Sequence, residues 1–160
     1  MRPCLQSKLL LGCALLLLLA CGDSEGGGSD QTSYEYCVVD GRGREYEPGM
    51  SDVGQLGLYE LQILDVSPAP PDVGASEWLV EISDLASGEP GEGCTLTGNT
   101  WMPDHGHGGP EGSSQEEPEP GRYRIEGLRY LMAGYWETAI EIECPELGLD
   151  EVQVPFCIEG

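Results

Sequence analysis

The sequence predicts an all-β protein: a single immunoglobulin-like antiparallel β-sandwich that follows a signal peptide and a flexible tether. Three observations lead there. Apolar and polar residues alternate with period two in six separate runs from Leu58 onward, turn-rich links separate the runs, and no stretch shows a convincing helical period. A strand sends successive side chains to opposite faces, so this alternation marks half-buried strands of an antiparallel sheet.

The runs follow one another along residues 58–160. Tyr59, Leu61 and Ile63 alternate with Glu60 and Gln62, until Pro68-Ala69-Pro70-Pro71 ends the strand, since proline cannot donate to a ladder. Trp78, Val80 and Ile82 alternate with Glu77, Glu81 and Ser83. Leu96, Thr100 and Met102 share a face on a weaker third strand. Tyr123 and Ile125 then alternate with arginines, and Trp136, Thr138, Ile140 and Ile142 with glutamates. Val152, Val154, Phe156 and Ile158 form the last strand. Residues 34–57 carry only turn signals, Asp40-Gly41 and Pro48-Gly49, and are expected to be an irregular segment docked on the domain. The stretch Asp104 to Gly121 is expected to be one long loop, rich in Gly, Pro, Ser and Glu.

The N-terminus has a different logic. Arg2 and Lys8 precede an apolar run from Leu9 to Ala20, which has the layout of a signal peptide over residues 1–20. Leu18-Leu19-Ala20-Cys21 resembles the bacterial lipobox, which implies cleavage before Cys21 and lipidation of its thiol. Residues 21–33 then read as a Gly/Ser-rich tether. The expected placement is the cell envelope, with the domain facing the periplasm or the cell surface. Gly22, rather than aspartate, after the lipidated cysteine points to the outer membrane.

All 29 acidic residues and only five basic ones, all arginine, follow Ala20, within a formal net charge of −22. Nucleic acid is thereby excluded as a partner, and the membrane is met through the lipid rather than through anionic headgroups. Four cysteines remain after Cys21: Cys37, Cys94, Cys144 and Cys157. An even number in an oxidising compartment favours two disulfides, with three connectivities open, over a four-thiolate zinc site, which would want a Cys-x-x-Cys pair. Topology narrows the choice. If the third and fifth strands pair antiparallel, Cys94 can face Cys144 on the inward parity of both. The same register sets Met102 opposite Trp136 and brings residues 104–108 beside 130–134. Cys37 is then left for Cys157, which points outward where the N-terminal segment must dock.

That register gathers the one constellation with chemistry in it. The chain's two histidines, His105 and His107, lie in Trp101-Met102-Pro103-Asp104-His105-Gly106-His107-Gly108-Gly109. A His-x-His pair can reach one ion, and thioether sulfur from Met102, joined by Met132, would bias the site toward Cu(I). Asp104 could orient an imidazole from behind, and Trp101 and Trp136 could exclude water. With no third histidine, a three-histidine catalytic zinc is excluded. The competing reading makes Asp104 and the histidines turn residues that hydrogen-bond backbone groups. No nucleophile with an ordered base, no singled-out acid/base pair and no phosphate-binding glycine loop occurs, so an enzyme is not expected.

The stretch from about Tyr46 to Gly160 resembles the YtkA-like or FixH-like family of small exported bacterial β-sandwich domains. The residues that carry the resemblance are Pro68-Ala69-Pro70-Pro71, Trp78, Met102-Pro103-Asp104-His105-Gly106-His107-Gly108, Gly121-Arg122-Tyr123, Met132-Ala133-Gly134-Tyr135-Trp136 and Phe156-Cys157. The resemblance implies a role in copper handling or in assembly of copper-containing oxidases, although a lipobox replaces the retained helix of membrane-spanning members. Two functions follow as expectations: a lipid-anchored domain that binds or delivers copper to an envelope partner, or a non-catalytic structural or interaction module on the cell envelope.

Overall fold

The computed structural model describes residues 33–160. The expected signal peptide, Cys21 and the expected tether up to residue 32 lie outside the described residues. The described chain contains one helix, α1 (Ser33–Asp40), and nine strands: β1 (Ser51–Val53), β2 (Tyr59–Ser67), β3 (Gly74–Asp84), β4 (Thr95–Met102), β5 (His107–Gly108), β6 (Gly112–Glu116), β7 (Arg122–Tyr130), β8 (Gly134–Cys144) and β9 (Gly148–Ile158). None of its helices is long and apolar enough to cross a membrane.

The six expected strands are β2, β3, β4, β7, β8 and β9, and every pairing between strands is antiparallel. They lie in the order β1-β2-β3-β7-β6-β4-β8-β9, with β5 on β4. The sheet curls until its ends meet. The Gln55 N–H donates to the Glu151 carbonyl at 2.9 Å, and the Tyr59 hydroxyl donates to the Gly148 carbonyl at 2.6 Å. The closed, sandwich-like body has its core inside, where Trp78, Trp136, Tyr59, Tyr123, Tyr130 and Phe156 are the largest fully buried side chains. Trp78 meets Phe156 edge to face at 5.4 Å between centroids, and Tyr130 meets Trp136 at 5.5 Å, as aromatic quadrupoles prefer. Inside this core the Tyr130 hydroxyl pairs with Thr138 at 2.8 Å, and the Tyr123 hydroxyl donates to the Gly91 carbonyl at 2.8 Å.

The register of β4 on β8 runs from Thr95 opposite Glu143 to Trp101 opposite Glu137. It is the register expected from the cysteines, and Cys94 and Cys144 form a disulfide at its end. Cys37 and Cys157 form the second.

Three expectations need correction. Residues 34–57 are not irregular throughout, for they contain most of α1 and all of β1, and Ser33, placed in the tether, opens the helix. An eight-residue helix is marginal in water and shows little of its own periodicity, so nothing local announces it. It is held from outside, by the Cys37–Cys157 bridge to β9. Gly43 passes so close that a Cβ there would stand 2.6 and 2.7 Å from the two sulfurs. The segment then runs beside β9, where the Arg44 N–H donates to the Pro155 carbonyl at 3.0 Å and the Cys157 N–H to the Arg44 carbonyl at 3.1 Å. Finally, the stretch 104–121 is not one loop: it holds β5 and β6. The sequence Gly-Ser-Ser-Gln-Glu of β6 has no apolar alternation. It becomes a strand because β4 and β7 offer it a ladder on both sides.

The seam between β1–β2 and β9 depends on a buried carboxylate. Asp150 accepts the backbone N–H of Leu56 at 2.9 Å, of Leu58 at 3.0 Å and of Glu151 at 2.8 Å. Burial alone would raise its pKa, but these bonds outweigh burial and hold the carboxyl below the usual range. A carboxylate depressed in this way contributes stability above its unfolded-state value, about 3.9, and loses it as pH falls through the folded-state value. Asp150→Asn is therefore expected to cost about 2–3 kcal/mol at neutral pH. It should also flatten the loss of melting temperature between about pH 5 and pH 2. A variant as stable and as acid-sensitive as the parent in thermal melts would refute the assignment.

Candidate metal centre

The His-rich segment folds as a small hairpin on the end of β4. Pro103 cannot continue the ladder, so the chain turns after Met102. The His105 and Gly106 N–H groups both donate to the Met102 carbonyl, at 3.2 and 2.9 Å. Gly106 has φ +66°, a left-handed conformation that a side chain would strain. The chain returns as β5, with Trp101 opposite Gly108 and Met102 opposite His107. Gly109 then packs under the hairpin, donating its N–H to the Thr100 carbonyl at 3.0 Å. A Cβ on Gly109 would lie 2.4 Å from the Arg129 carbonyl oxygen and 2.5 Å from the Thr100 hydroxyl.

Directly paired residues of an antiparallel ladder project to the same face. Met102 and His107 therefore share the inward face, and Met102 is fully buried. The His107 ring meets the buried Trp136 indole at 5.6 Å and the exposed His105 ring at 5.8 Å between centroids. His107 Nδ1 is buried without a hydrogen-bond partner in the protein, a state that costs about 1–3 kcal/mol unless something else binds there. Met132 is half-buried beside Trp136, and its carbonyl accepts the indole N–H at 2.8 Å.

These placements test the fit of an ion. Two imidazoles sharing one ion through metal–nitrogen bonds of about 2.0–2.1 Å have centroids no more than about 6.5 Å apart. The observed 5.8 Å satisfies that bound. Among the described residues no three His, Cys, Asp or Glu side chains are grouped to hold a metal. Ligands beyond the two imidazoles would therefore have to be of another kind, and the thioether of Met102 lies on the right face.

Two expected roles fall away. Trp101 is 46% exposed, because it is one residue out of phase with Met102 and lies on the outer face. Of these two tryptophans, Trp136 is the one that lies against the pair, on the His107 ring. Asp104 is held by Arg42 and not by an imidazole. Both its oxygens are taken by Arg42, Nη1 at 2.7 Å and Nη2 at 2.9 Å, and these bonds hold its carboxyl below the usual carboxylate range.

Sequence reasoning missed Arg42 and Tyr135. The Arg42 guanidinium lies over the Tyr135 ring, 4.8 Å from its centroid, and 3.6 Å from Asp40. The Tyr135 hydroxyl donates to Glu137 at 2.9 Å. Its pKa is pushed up to about 12, by burial first and by that carboxylate next. No local signal could have found Arg42, which reaches Asp104 across 62 positions of sequence.

A family model described as YtkA-like matches residues 56–141, more than half of the chain. The chain belongs to the YtkA-like family. The match takes in β2 through most of β8 and includes the hairpin with both histidines. No curated protein matches the chain. Two solved structures of FetP from uropathogenic Escherichia coli are similar to it. One is a copper-bound variant, at 15% identity and a TM-score of 0.48, covering 73% of this chain and 99% of that one. The other was expressed in the periplasm, at 17% identity and a TM-score of 0.48, covering 73% and 97%.

In this YtkA-like domain the glycine spacing of the motif has a steric origin that metal binding does not need. Gly109→Ala is expected to lower stability by about 1–3 kcal/mol, because its Cβ has no room beside Arg129. Thermal unfolding without metal measures it, and an unchanged midpoint would overturn the packing argument.

Proposed function

We propose that this chain is an exported lipoprotein, anchored through a lipidated Cys21, whose YtkA-like domain holds a copper ion and passes it to a protein partner in the cell envelope. His105 and His107 are the nitrogen ligands; Met102 and Met132 are the soft sulfur ligands. The role is non-catalytic. One observation carries the reading: His107 presents a buried, unpartnered Nδ1 on the face it shares with the buried Met102, with the second imidazole 5.8 Å away. Family membership and the lipobox at Leu18-Leu19-Ala20-Cys21 support it. Sulfur beside imidazole favours Cu(I), and the Trp136 indole keeps water from one side of the pair. The ion is released as easily as it is held, because His105 is exposed and can be exchanged for a partner's ligand.

A second reading keeps the hairpin as a purely structural turn on an interaction module. The tight Gly109 contact and the Arg42–Asp104 bond favour it, since both fix the hairpin without an ion. Copper titration of the mature chain in detergent, beside a His105→Ala/His107→Ala variant, separates the two. The parent is expected to bind one Cu(I), the variant to bind at least about tenfold more weakly. Acid should release the ion, since imidazole ligates only as the neutral ring. Equal affinity, or binding by neither protein, leaves the structural module.

The anchor has its own test. Cys21→Ser is expected to remain unprocessed or to leave the membrane fraction, because stable anchoring needs the acyl chains that this thiol would start. Membrane partitioning of the variant at the processed size would refute it.

A further inference from the structure

We propose that Arg42 sets the metal preference of the His105/His107 pair by withholding the Asp104 carboxylate from it, so that the site takes Cu(I) over Zn(II) and Cu(II). The inference rests on the copper reading above and adds the residue that selects the ion.

Asp104 is the immediate neighbour of His105 on the Pro103–Gly106 turn. Two imidazoles and one carboxylate are a donor set suited to zinc and other divalent ions. With Asp104 available, this hairpin would offer such a set. The structure shows that carboxylate already engaged: each oxygen accepts one bond from the fork of Arg42, at 2.7 and 2.9 Å, which turns the group toward the guanidinium and offsets its charge while leaving one lone pair on each oxygen. An ion that draws on Asp104 must compete with Arg42 for it, whereas nitrogen and thioether sulfur, the softer set, carry no such cost.

Arg42 is well placed to keep the carboxylate. Its guanidinium rests on the Tyr135 ring at 4.8 Å and lies near Asp40 at 3.6 Å. The chain on either side of it is fixed to β9, by the Cys37–Cys157 bridge before it and by the Arg44 backbone bonds after it. A guanidinium does not lose its proton in the accessible pH range, so this hold does not relax as pH rises. Its charge adds a second effect of the same sign. Repulsion by a fixed positive charge is twice as large for a divalent ion as for a monovalent one at the same place. Removing Arg42 would thus both free a hard ligand and lift a penalty that weighs more on Zn(II) and Cu(II).

The test uses the mature chain in detergent micelles and reads two affinities, Cu(I) by anaerobic competition with a chromophoric chelator and Zn(II) by direct titration. Arg42→Gln removes the charge and the fork. Zn(II) affinity is expected to rise about ten- to a hundredfold, as changes around metal ligands commonly do, while Cu(I) affinity moves by less than about threefold. In Arg42→Gln/Asp104→Asn the zinc gain should vanish. Arg42→Lys, which keeps the charge but not the fork, should show part of the gain, and it carries the test if the glutamine variant melts early. An unmoved ratio of Zn(II) to Cu(I) affinity in both single variants, or a gain that survives in the double variant, overturns the assignment to Arg42 while copper binding stands. Absence of any copper binding by the parent overturns the copper reading and this inference with it.

Discussion

The pairing of β4 with β8 is the constraint from which the rest of the molecule follows. Side chains alternate with period two, so a slip of one residue would turn every inward side chain of β4 to the solvent. Leu96, Thr100 and Met102 would leave the core, and Trp136, Ile140 and Ile142 would face the wrong partners. The Cys94–Cys144 disulfide sits at one end of this ladder and cannot form in the slipped register. At the other end, the same register brings the hairpin of β4 and β5 against Trp136. One alignment therefore fixes both the staple and the His-rich hairpin, about a strand length apart. It also explains why the hairpin needs little sequence of its own to be held in place.

Much of this was legible because each strand states its own register. The inward positions of β8 are apolar or threonine and its outward positions are mostly glutamate. Two cysteines at matching parity then chose the partner strand. What the sequence did not display is structure without an apolar period. The five residues of β6 are Gly, Ser, Ser, Gln and Glu, and their conformation is imposed by neighbours on both edges. Helix α1 is imposed in the same way by a disulfide to a strand far along the chain. A pattern argument detects segments that bury their own side chains in alternation. It is blind to segments held only by backbone bonds or a single covalent tie.

The candidate site divides along the same line. Met102, His107 and Trp136 were legible together, because a strand, its hairpin and its partner ladder put them on one face. Asp104 was placed correctly on the hairpin, but its partner was not foreseen. The residue that engages it comes from the N-terminal segment, where no period exists to predict a direction. Trp101 failed for a simpler reason: it is adjacent to Met102, and adjacency in a strand means opposite faces.

On the proposed reading, the energetic weight and the functional weight of the Arg42–Asp104 pair do not coincide. Both side chains are about two-fifths exposed, and such surface pairs contribute little to folding. For metal choice the relevant quantity is different. For Asp104 to become a ligand, an ion would have to compete with two charge-assisted hydrogen bonds and a guanidinium that already neutralises the group. A hard divalent ion gains most from that carboxylate and so loses most by its being engaged. A soft monovalent ion, satisfied by nitrogen and sulfur, loses almost nothing. A contact too weak to matter for stability can thus decide which ion the same two histidines accept.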